Sequence, residues 1–155
     1  MIDAISQAIL SELQTDGRVS FRELGERVGL SAPAVTERVR RLERDGVITG
    51  YSATVNPASL GASILAIVRI HSPGVNAAAI DTLAESLPEI IECNRVTGSE
   101  SHVARAWCRD LAHLDELIEA FRVYGETITN VVTATPVQRR SLQPSRNSPV
   151  APSSD

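Results

Sequence analysis

The sequence predicts an α+β protein, with an N-terminal helix-turn-helix joined to a C-terminal ferredoxin-like β-α-β-β-α-β domain. Three amphipathic helical segments near the N-terminus predict the first part. Apolar strand-like runs alternating with two further helical segments predict the second. We expect the helix-turn-helix over 1–49, a linker over 50–61, the sheet domain over 62–137 and a disordered, Pro/Ser-rich tail over 138–155.

Capping residues delimit the first two helices. Asp3 is placed to cap a helix over 3–14, which the turn sequence TDGR then ends. Ser20 and Glu23 form a capping box, in which two otherwise unpaired backbone amides at a helix start are satisfied. The second helix ends at Gly29, because glycine readily adopts the left-handed conformation of a C-cap.

The third helix follows after a very short turn. Ser31 is its N-cap, and the helix extends from about residue 32 to residue 44. On a helical wheel Val35, Val39 and Leu42 form one stripe, which we expect to pack on the first two helices. Three helices with so short a turn between the last two are typical of a helix-turn-helix.

Four arginines lie on this third helix, although the whole chain has a net charge of −4. A solvated helix face is one interpretation, since Glu37 and Arg41 are spaced as a stabilising surface pair. However, the N-terminal half of the helix carries small side chains, which let a backbone approach base edges closely. The arginines begin one turn later, where phosphates flank a docked helix. We therefore favour contact with double-stranded DNA.

Each residue of this helix has an expected role. Ser31 caps the helix and directs its first amides toward a phosphate. The candidates for facing bases are Ala34, Thr36, Glu37 and Arg38. The candidates for phosphate contacts are Arg40, Arg41 and Arg44.

The negative charge lies in the middle of the chain. Residues 1–50 hold seven arginines and eight acids, a net charge of −1. Residues 51–136 hold five arginines and ten acids, a net charge of −5. The chain from residue 137 holds three arginines and one acid, a net charge of +2. An acidic protein can thus still present a positive surface locally.

The second half of the chain alternates between segments with the periodicity of a strand and segments with the periodicity of a helix. The strand-like runs are SILAIVRIH, IIECNRVTG, HVARAWC and TITNVVTATPV, and the helical ones are NAAAIDTLAESLP and DLAHLDELIEAFRVYG. In the last helix we expect a buried stripe of Leu111, Leu114, Ile118 and Phe121. Leu65, Ile67 and Trp107 point to the sheet face that the helices leave open, so we expect self-association through that face.

Several functional classes are disfavoured by the sequence. No run of 18 apolar residues predicts a membrane span, and no basic leader with an apolar run predicts a signal peptide. We expect a cytoplasmic protein in which Cys93 and Cys108 stay reduced. No arrangement of residues suggests a catalytic, metal or cofactor site, and we expect His102 at the surface or at an interface.

The segments AILSELQTDGR, SFRELGERVGLS, VTERVRRLERDGVITGYSATVNPASLG and, more loosely, VTGSESHVARAWCRD resemble the Lrp/AsnC (feast/famine) family of transcriptional regulators. The resemblance covers about residues 2–137. It implies a DNA-binding helix-turn-helix, a hinge, and a C-terminal domain for effector binding and oligomerisation. It also implies dimers that assemble further, with an octamer of dimers as the expected assembly, and an amino-acid effector bound between C-terminal domains. The implied effector residues are Thr97, Gly98, Ser99, Glu100 and Ser101.

The effector turn departs from the family pattern. The family usually has an acidic residue three positions after the glycine, where this sequence has Ser101. An altered effector or none is therefore an alternative, and the protein would then be an architectural DNA-binding protein. A sirohaem-decarboxylase-like enzyme on the same fold is a further alternative. Such enzymes carry a histidine-rich aromatic motif, whereas IIECNRVTGSESHV has one histidine and no aromatic residue.

Overall fold

A computed structural model describes residues 2–138 and 140–142 of the chain. The chain forms two compact units. One contains residues 2–53 with the described residues from 137 onward, and the other contains residues 54–136. The border between them falls inside the segment 50–61, which remains our predicted linker. Apart from residues 138 and 140–142, the predicted disordered tail lies outside the described residues.

The N-terminal unit contains three helices, α1 (Ala4–Thr15), α2 (Phe21–Val28) and α3 (Ala32–Arg44). Asp3 caps α1 by accepting the backbone N–H of Ser6 at 2.7 Å. Ser20 and Ser31 cap α2 and α3 in the same way, through the amides three residues on. The predicted helices and their N-caps are confirmed, because each depends on a few neighbouring residues. The reciprocal half of the predicted capping box is not formed, since the Glu23 carboxylate pairs with Arg27 instead.

The helices of this unit enclose an aliphatic core. Its buried residues are Ile9, Val19, Leu24, Val35, Val39 and Leu42. The predicted inward stripe of α3 is therefore confirmed. At the start of α2, Phe21 is 39% exposed, so the ring contributes less to this core than its apolar character suggests.

The C-terminal unit contains four antiparallel strands in the order β2-β3-β1-β4. The strands are β1 (Ile64–His71), β2 (Ile90–Arg95), β3 (His102–Cys108) and β4 (Glu126–Val131). The helices α4 (Ala77–Ser86) and α5 (Leu111–Arg122) connect β1 to β2 and β3 to β4. This is the β-α-β-β-α-β order that the sequence predicts.

The two helices pack on one face of the sheet. The buried residues of this core are Ala66, Val68, Ile70, Ile80, Ala84, Ala104, Ala106, Cys108, Leu114, Leu117 and Phe121. One residue of the predicted α5 stripe was wrong, because Leu111 is 67% exposed at the start of the helix. Leu117, which the stripe omitted, is buried instead, so the inward face of α5 is rotated relative to the prediction.

The opposite sheet face is open in the single chain. The register pairs Leu65 with Trp107 and Arg69 with both Val103 and Ile128. Ile128 is 51% exposed on this face. Arg69 lies between Val103 and Ile128, so charge interrupts the apolar residues of this face. Leu65, which was expected to be exposed here, is already buried in the single chain.

Residues 51–56 of the predicted linker lack regular structure. The β-forming residues among them have no neighbouring strand to pair with. A short 3₁₀ helix (Pro57–Leu60) follows, capped by Asn56 and closed by Gly61 with φ of +78°. None of the helices among the described residues has the length and apolar character needed to cross a membrane.

Candidate DNA-binding surface and effector turn

A close backbone approach forms the turn between α2 and α3. The N–H of Leu30 donates to the carbonyl of Gly25 at 2.9 Å. A Cβ atom on Gly25 would lie 2.5 Å from the carbonyl oxygen of Leu30, which is too close for any side chain. Gly29 closes α2 with φ of +72°, a region that favours glycine. Both glycines therefore set the angle at which α3 leaves the turn.

The outward side of α3 carries four charged residues, which we call the arginine face: Glu37, Arg40, Arg41 and Arg44. Arg44 Nη2 lies 3.0 Å from Glu37 Oε1, and Arg41 Nε lies 3.6 Å from Asp45 Oδ2. Among the described residues, Arg40 has no ion-pair partner. The arginine face therefore presents one unpaired cation and two loosely paired ones to solvent.

The first turn of α3 is small and capped. The Ser31 hydroxyl accepts the N–H of Ala34 at 3.4 Å, and the first turn contains Pro33. The Thr36 hydroxyl donates to the carbonyl of Ala32 at 2.8 Å. The methyl group is therefore the part of the Thr36 side chain that is left for contact with another molecule. Ala34 and Thr36 are both half-buried at the flanks of the arginine face.

Arg38 lies apart from the other α3 arginines. Its Nη1 is 2.6 Å from Asp3 Oδ2 and 3.2 Å from the Ser6 hydroxyl, both of which belong to the start of α1. This hydrogen bond to Arg38 lowers the pKa of Asp3 to about 2, with help from the Ser6 amide. The guanidinium thus joins α3 to α1, a position that its helical-wheel angle did not reveal.

In the C-terminal unit, the effector turn (residues 96–101) connects β2 to β3. Ser101 anchors it, because its N–H donates to the carbonyl of Ile70 at 2.8 Å and its hydroxyl to the same oxygen at 3.0 Å. Thr97, Gly98 and Ser99 are exposed, and Gly98 has φ of +116°. The five predicted effector residues therefore form one turn, held on the central strand β1.

Opposite charges meet at this turn. Arg69 Nη1 of β1 lies 3.5 Å from Glu100 Oε1, and the Ser99 hydroxyl donates to Glu100 Oε2 at 2.7 Å. The hydrogen bond from Ser99 lowers the pKa of Glu100, and the charge of Arg69 acts in the same direction. The carbonyl of Ser99 also contacts Nδ1 of His71. The turn therefore presents an ionised carboxylate beside a guanidinium.

His102 lies inside the unit, so the prediction of a surface or interface position was wrong. Only 1% of the residue is exposed, and its Nε2 is 3.2 Å from Asp81 Oδ1 of α4. Its Nδ1 is 2.9 Å from the Ser101 hydroxyl. Asp81 in turn contacts Arg95, and that hydrogen bond lowers the pKa of Asp81. Both ring nitrogens of this buried imidazole therefore have hydrogen-bond partners, and these contacts connect α4 to the effector turn.

Arg105 pairs within the chain, and the described residues offer no metal site. Arg105 Nη1 lies 3.3 Å from Glu92 Oε2 on the adjacent strand. No group of three His, Cys, Asp or Glu side chains within the described part of the chain is placed to hold a metal ion. Cys93 and Cys108 are free thiols, and burial raises the pKa of both.

Two structural roles at this surface escaped the sequence analysis. Asp3 was predicted only as a cap, and Ser6 was given no role, although both hold Arg38. The sequence did carry a signal for Gly25. A glycine inside a short helix destabilises the helix, so its presence indicates that a neighbouring group occupies the space of a side chain. No local pattern indicated the contact to Asp3, which joins residues 35 positions apart.

The sequence matches two known domains. Residues 2–43 match the AsnC-type helix-turn-helix domain, and residues 65–142 match the Lrp/AsnC ligand binding domain. The first match contains α1, α2 and nearly all of α3. The second contains all of the sheet except Ile64, and the effector turn.

Individual relatives agree with these matches. The leucine-responsive regulatory protein of Escherichia coli K12 is 41% identical over 133 residues, 82% of this chain and 76% of that protein. The structure of B. subtilis LrpC gives a TM-score of 0.84 at 31% identity, covering 90% of this chain and 99% of that one. The M. tuberculosis feast or famine regulatory protein complexed with L-methionine gives 0.82 at 32% identity, covering 93% and 100%. The chain thus belongs to the Lrp/AsnC family and is a DNA-binding transcriptional regulator, not an enzyme.

Proposed function

We propose that the arginine face of α3 lies in the major groove of DNA, with the first turn of the helix toward the bases. The observation that carries this proposal is that all four residues of the face are exposed on a helix whose other side is core. The first turn bears only small side chains, so the helix can approach base edges without steric hindrance. A two-fold dimer would place two such helices about one helical turn apart on DNA.

Individual roles follow from the contacts. Arg40, Arg41 and Arg44 are the phosphate ligands, and the capped start of α3 at Ser31 directs amides at a further phosphate. Ala34, Thr36 and Glu37 face bases, with the Thr36 methyl group suited to a thymine methyl. We no longer assign Arg38 to bases, because its guanidinium is held by Asp3 and Ser6.

The existing ion pairs do not oppose this function. The side chains of Arg44 and Glu37 are 60% and 68% exposed, and those of Arg41 and Asp45 are 76% and 57% exposed. Exposed pairs contribute only about 0–1 kcal/mol each. A phosphate can therefore replace either acidic partner at little cost.

Selection of bound duplexes from a random pool tests the base-facing roles. We expect Glu37→Ala to change the preferred base at one position of each half-site while binding to DNA persists. Arg22→Ala is the matched control, since Arg22 lies on α2 with an 87% exposed side chain. If Glu37→Ala selects the same sequences as the unaltered protein, Glu37 does not face a base.

We also propose that an amino acid binds at the effector turn, between C-terminal units of different copies. The ligand-binding-domain match and the relative complexed with L-methionine support this. The chemistry fits as well, because Arg69 can pair with an α-carboxylate and Glu100 with an α-ammonium group. Glu100 thereby replaces the carboxylate that the family pattern places at the position of Ser101.

Calorimetric titration of the full chain with each of the twenty amino acids tests this second proposal. We expect binding of at least one, weakened about tenfold or more by Glu100→Gln because a charged hydrogen bond is lost. Glu126→Gln is the control, since Glu126 is an exposed acid at the start of β4. If none of the twenty binds, the effector-independent architectural protein is the better interpretation.

The open sheet face supports self-association, and we propose that dimers form there and assemble further, up to an octamer of dimers. Ile67, Trp107 and Ile128 keep exposed area on this face for a second copy to cover, whereas Leu65 is already buried in the single chain. We also propose that the protein works in the cytoplasm, where Cys93 and Cys108 remain free thiols.

A further inference from the structure

A buried histidine lies between the effector turn and α4. His102 is 1% exposed, its Nε2 is 3.2 Å from Asp81 Oδ1, and its Nδ1 is 2.9 Å from the Ser101 hydroxyl. That hydroxyl has a single hydrogen, which it donates to the carbonyl of Ile70 at 3.0 Å. The contact between Nδ1 and the Ser101 oxygen therefore needs a hydrogen on Nδ1.

The contact with Asp81 needs a second ring hydrogen. The Asp81 carboxyl group is ionised, because the hydrogen bond from Arg95 lowers its pKa, and an ionised carboxylate only accepts hydrogen bonds. Nε2 therefore donates to Asp81 while Nδ1 donates to Ser101. All of these contacts form together only when His102 carries two ring hydrogens and a positive charge.

A neutral His102 ring would change how the effector turn is anchored. With the one remaining hydrogen on Nε2 for Asp81, Nδ1 becomes an acceptor and its partner, the Ser101 hydroxyl, becomes the donor. The hydroxyl then turns from the carbonyl of Ile70 to the ring. Of the two hydrogen bonds that join Ser101 to this carbonyl, the one from the Ser101 N–H at 2.8 Å remains.

The other two histidines of the chain keep their contacts when they are neutral. Nδ1 of His113 accepts the N–H of Arg109 at 3.3 Å, so a single hydrogen on Nε2 serves Glu89 at 3.3 Å. Nδ1 of His71 donates to the carbonyl of Ser99, and a single hydrogen on Nδ1 is enough for that contact. Neither arrangement depends on a second ring hydrogen.

The elements that pack around His102 carry further ionisable groups. They are Asp81 and Glu85 of α4, Cys93 and Arg95 of β2, Arg69 and His71 of β1, and Glu100 of the effector turn. The buried side of α5 is apolar. Hydrogen bonds lower the pKa values of Asp81 and Glu100, and burial raises the pKa of the Cys93 thiol. These three groups therefore keep their charge over about pH 5 to 8, the range in which histidine titrates.

We propose that His102 is a positioning residue of the effector turn, and that its protonated ring keeps the Ser101 hydroxyl on the carbonyl of Ile70. Two hydrogen bonds then anchor Ser101 on β1 while the ring is charged, and one does so when the ring is neutral. The hold on the effector turn thus weakens as the pH rises.

This anchor lies next to the charged pair assigned to the ligand. Ser101 follows Glu100 in the turn. Ile70 follows Arg69 on β1, so the bonds between Ser101 and Ile70 fix the separation of the carboxylate and the guanidinium. A site that is already held in place binds its ligand more tightly. Affinity for the amino acid should therefore fall as His102 loses its proton, a consequence that rests on the proposed role of the effector turn.

Amide hydrogen exchange of the full chain over about pH 5 to 8 tests the anchor without any ligand. The amides followed are those of Val96 and Ser101, which donate to the carbonyls of Ser101 and Ile70. The exchange rate of an unstructured peptide at the same pH, divided by each measured rate, gives a protection factor that does not contain the pH dependence of the exchange chemistry. We expect protection to fall by about two- to tenfold as the pH rises, since one hydrogen bond is lost.

Two variants remove the coupling in different ways. Ser101→Ala deletes the hydroxyl but keeps the N–H, so its protection should be low and independent of pH. His102→Asn places an amide nitrogen near the position of Nδ1, which donates to the Ser101 hydroxyl at every pH, so its protection should be high and independent of pH. If His102→Asn does not fold, Ser101→Ala alone decides.

The matched controls remove the other two rings. His113→Gln replaces a histidine that also pairs with an acid, and His71→Gln replaces one that also contacts the effector turn. We expect both to keep the pH dependence of the unaltered protein.

The outcomes are distinct. Constant protection in the unaltered protein overturns the proposal, and so does a pH dependence that persists in Ser101→Ala or is lost in His71→Gln. Calorimetric titration with the twenty amino acids at about pH 5.5 and 7.5 then measures the effect on affinity, and equal affinity at the two values overturns the link from anchor to ligand. If exchange behaves as expected but none of the twenty binds, the anchor is supported and the proposed amino-acid site is wrong.

Discussion

Arg38 Nη1 lies 2.6 Å from Asp3 Oδ2, so a side chain of α3 is paired with the N-cap residue of α1. Asp3 also caps α1 through the amide of Ser6. The Asp3 carboxylate therefore both caps α1 and holds the Arg38 side chain of α3. The angle between the two helices depends on this contact as well as on the apolar core.

This contact makes stability depend on pH. The pKa of Asp3 is about 2 in the folded protein, below the ordinary value of 3.8. A lowered carboxyl pKa means that the contribution is complete above pH 4 and is lost as the pH falls from about 4 to about 2. We expect a double-mutant cycle of Asp3→Asn and Arg38→Gln to give a coupling of up to about 1 kcal/mol at neutral pH.

Urea unfolding followed by circular dichroism measures the cycle at several pH values. Asparagine is also a good N-cap, so Asp3→Asn isolates the charge from the cap. The coupling should remain constant between pH 5 and 7 and be mostly lost by pH 2, where about half of the Asp3 carboxyl groups are protonated in the folded protein. A coupling as large at pH 2 as at pH 7 would show that the ion pair is not its source.

Gly25, in α2 just before the turn to α3, should tolerate no side chain. Gly25→Ala places a methyl group 2.5 Å from the Leu30 carbonyl oxygen, so we expect it to destabilise the N-terminal unit by more than about 1 kcal/mol. Gly17→Ala is the control, because its nearest neighbour would be an ordinary 3.7 Å away. Thermal unfolding and DNA affinity check both variants, and equal effects would argue against the close approach.

Self-association should depend on the open sheet face. Ile128 is 51% exposed in the single chain, so Ile128→Glu leaves the folded unit intact while placing a charge on the face. We expect light scattering to report a smaller assembly for this variant. Leu111→Glu is the control, since Leu111 is 67% exposed on the helix side of the sheet. If both variants keep the mass of the unaltered protein, assembly uses another surface.

Local signals predicted the elements of this fold well. Ser20, Ser31 and Gly29 act on neighbouring backbone groups, and the structure confirms all three caps. The alternation along β1 and β3 likewise assigned residues to the two sheet faces, because side-chain direction in a strand follows from sequence position alone.

Contacts between residues distant in sequence could not be predicted from these local signals. Arg38 was placed with the base readers because its angle on the helix is close to that of Ala34, but Asp3 attracts it from another helix. His102 was expected near the surface because histidine is polar, yet Asp81 and Ser101 satisfy both ring nitrogens inside the unit. In each case a partner distant in sequence decides the position, and no periodicity reveals it.

The central claim, that α3 binds DNA through its arginines, is tested most directly by Arg41→Ala in the full chain. We expect weaker binding to every duplex and a slope of log affinity against log salt that is shallower by about 1. Arg122→Ala is the control, because Arg122 is exposed on α5 in the other unit. If Arg41→Ala keeps the affinity and slope of the unaltered protein across the salt series, the proposed docking of α3 is wrong.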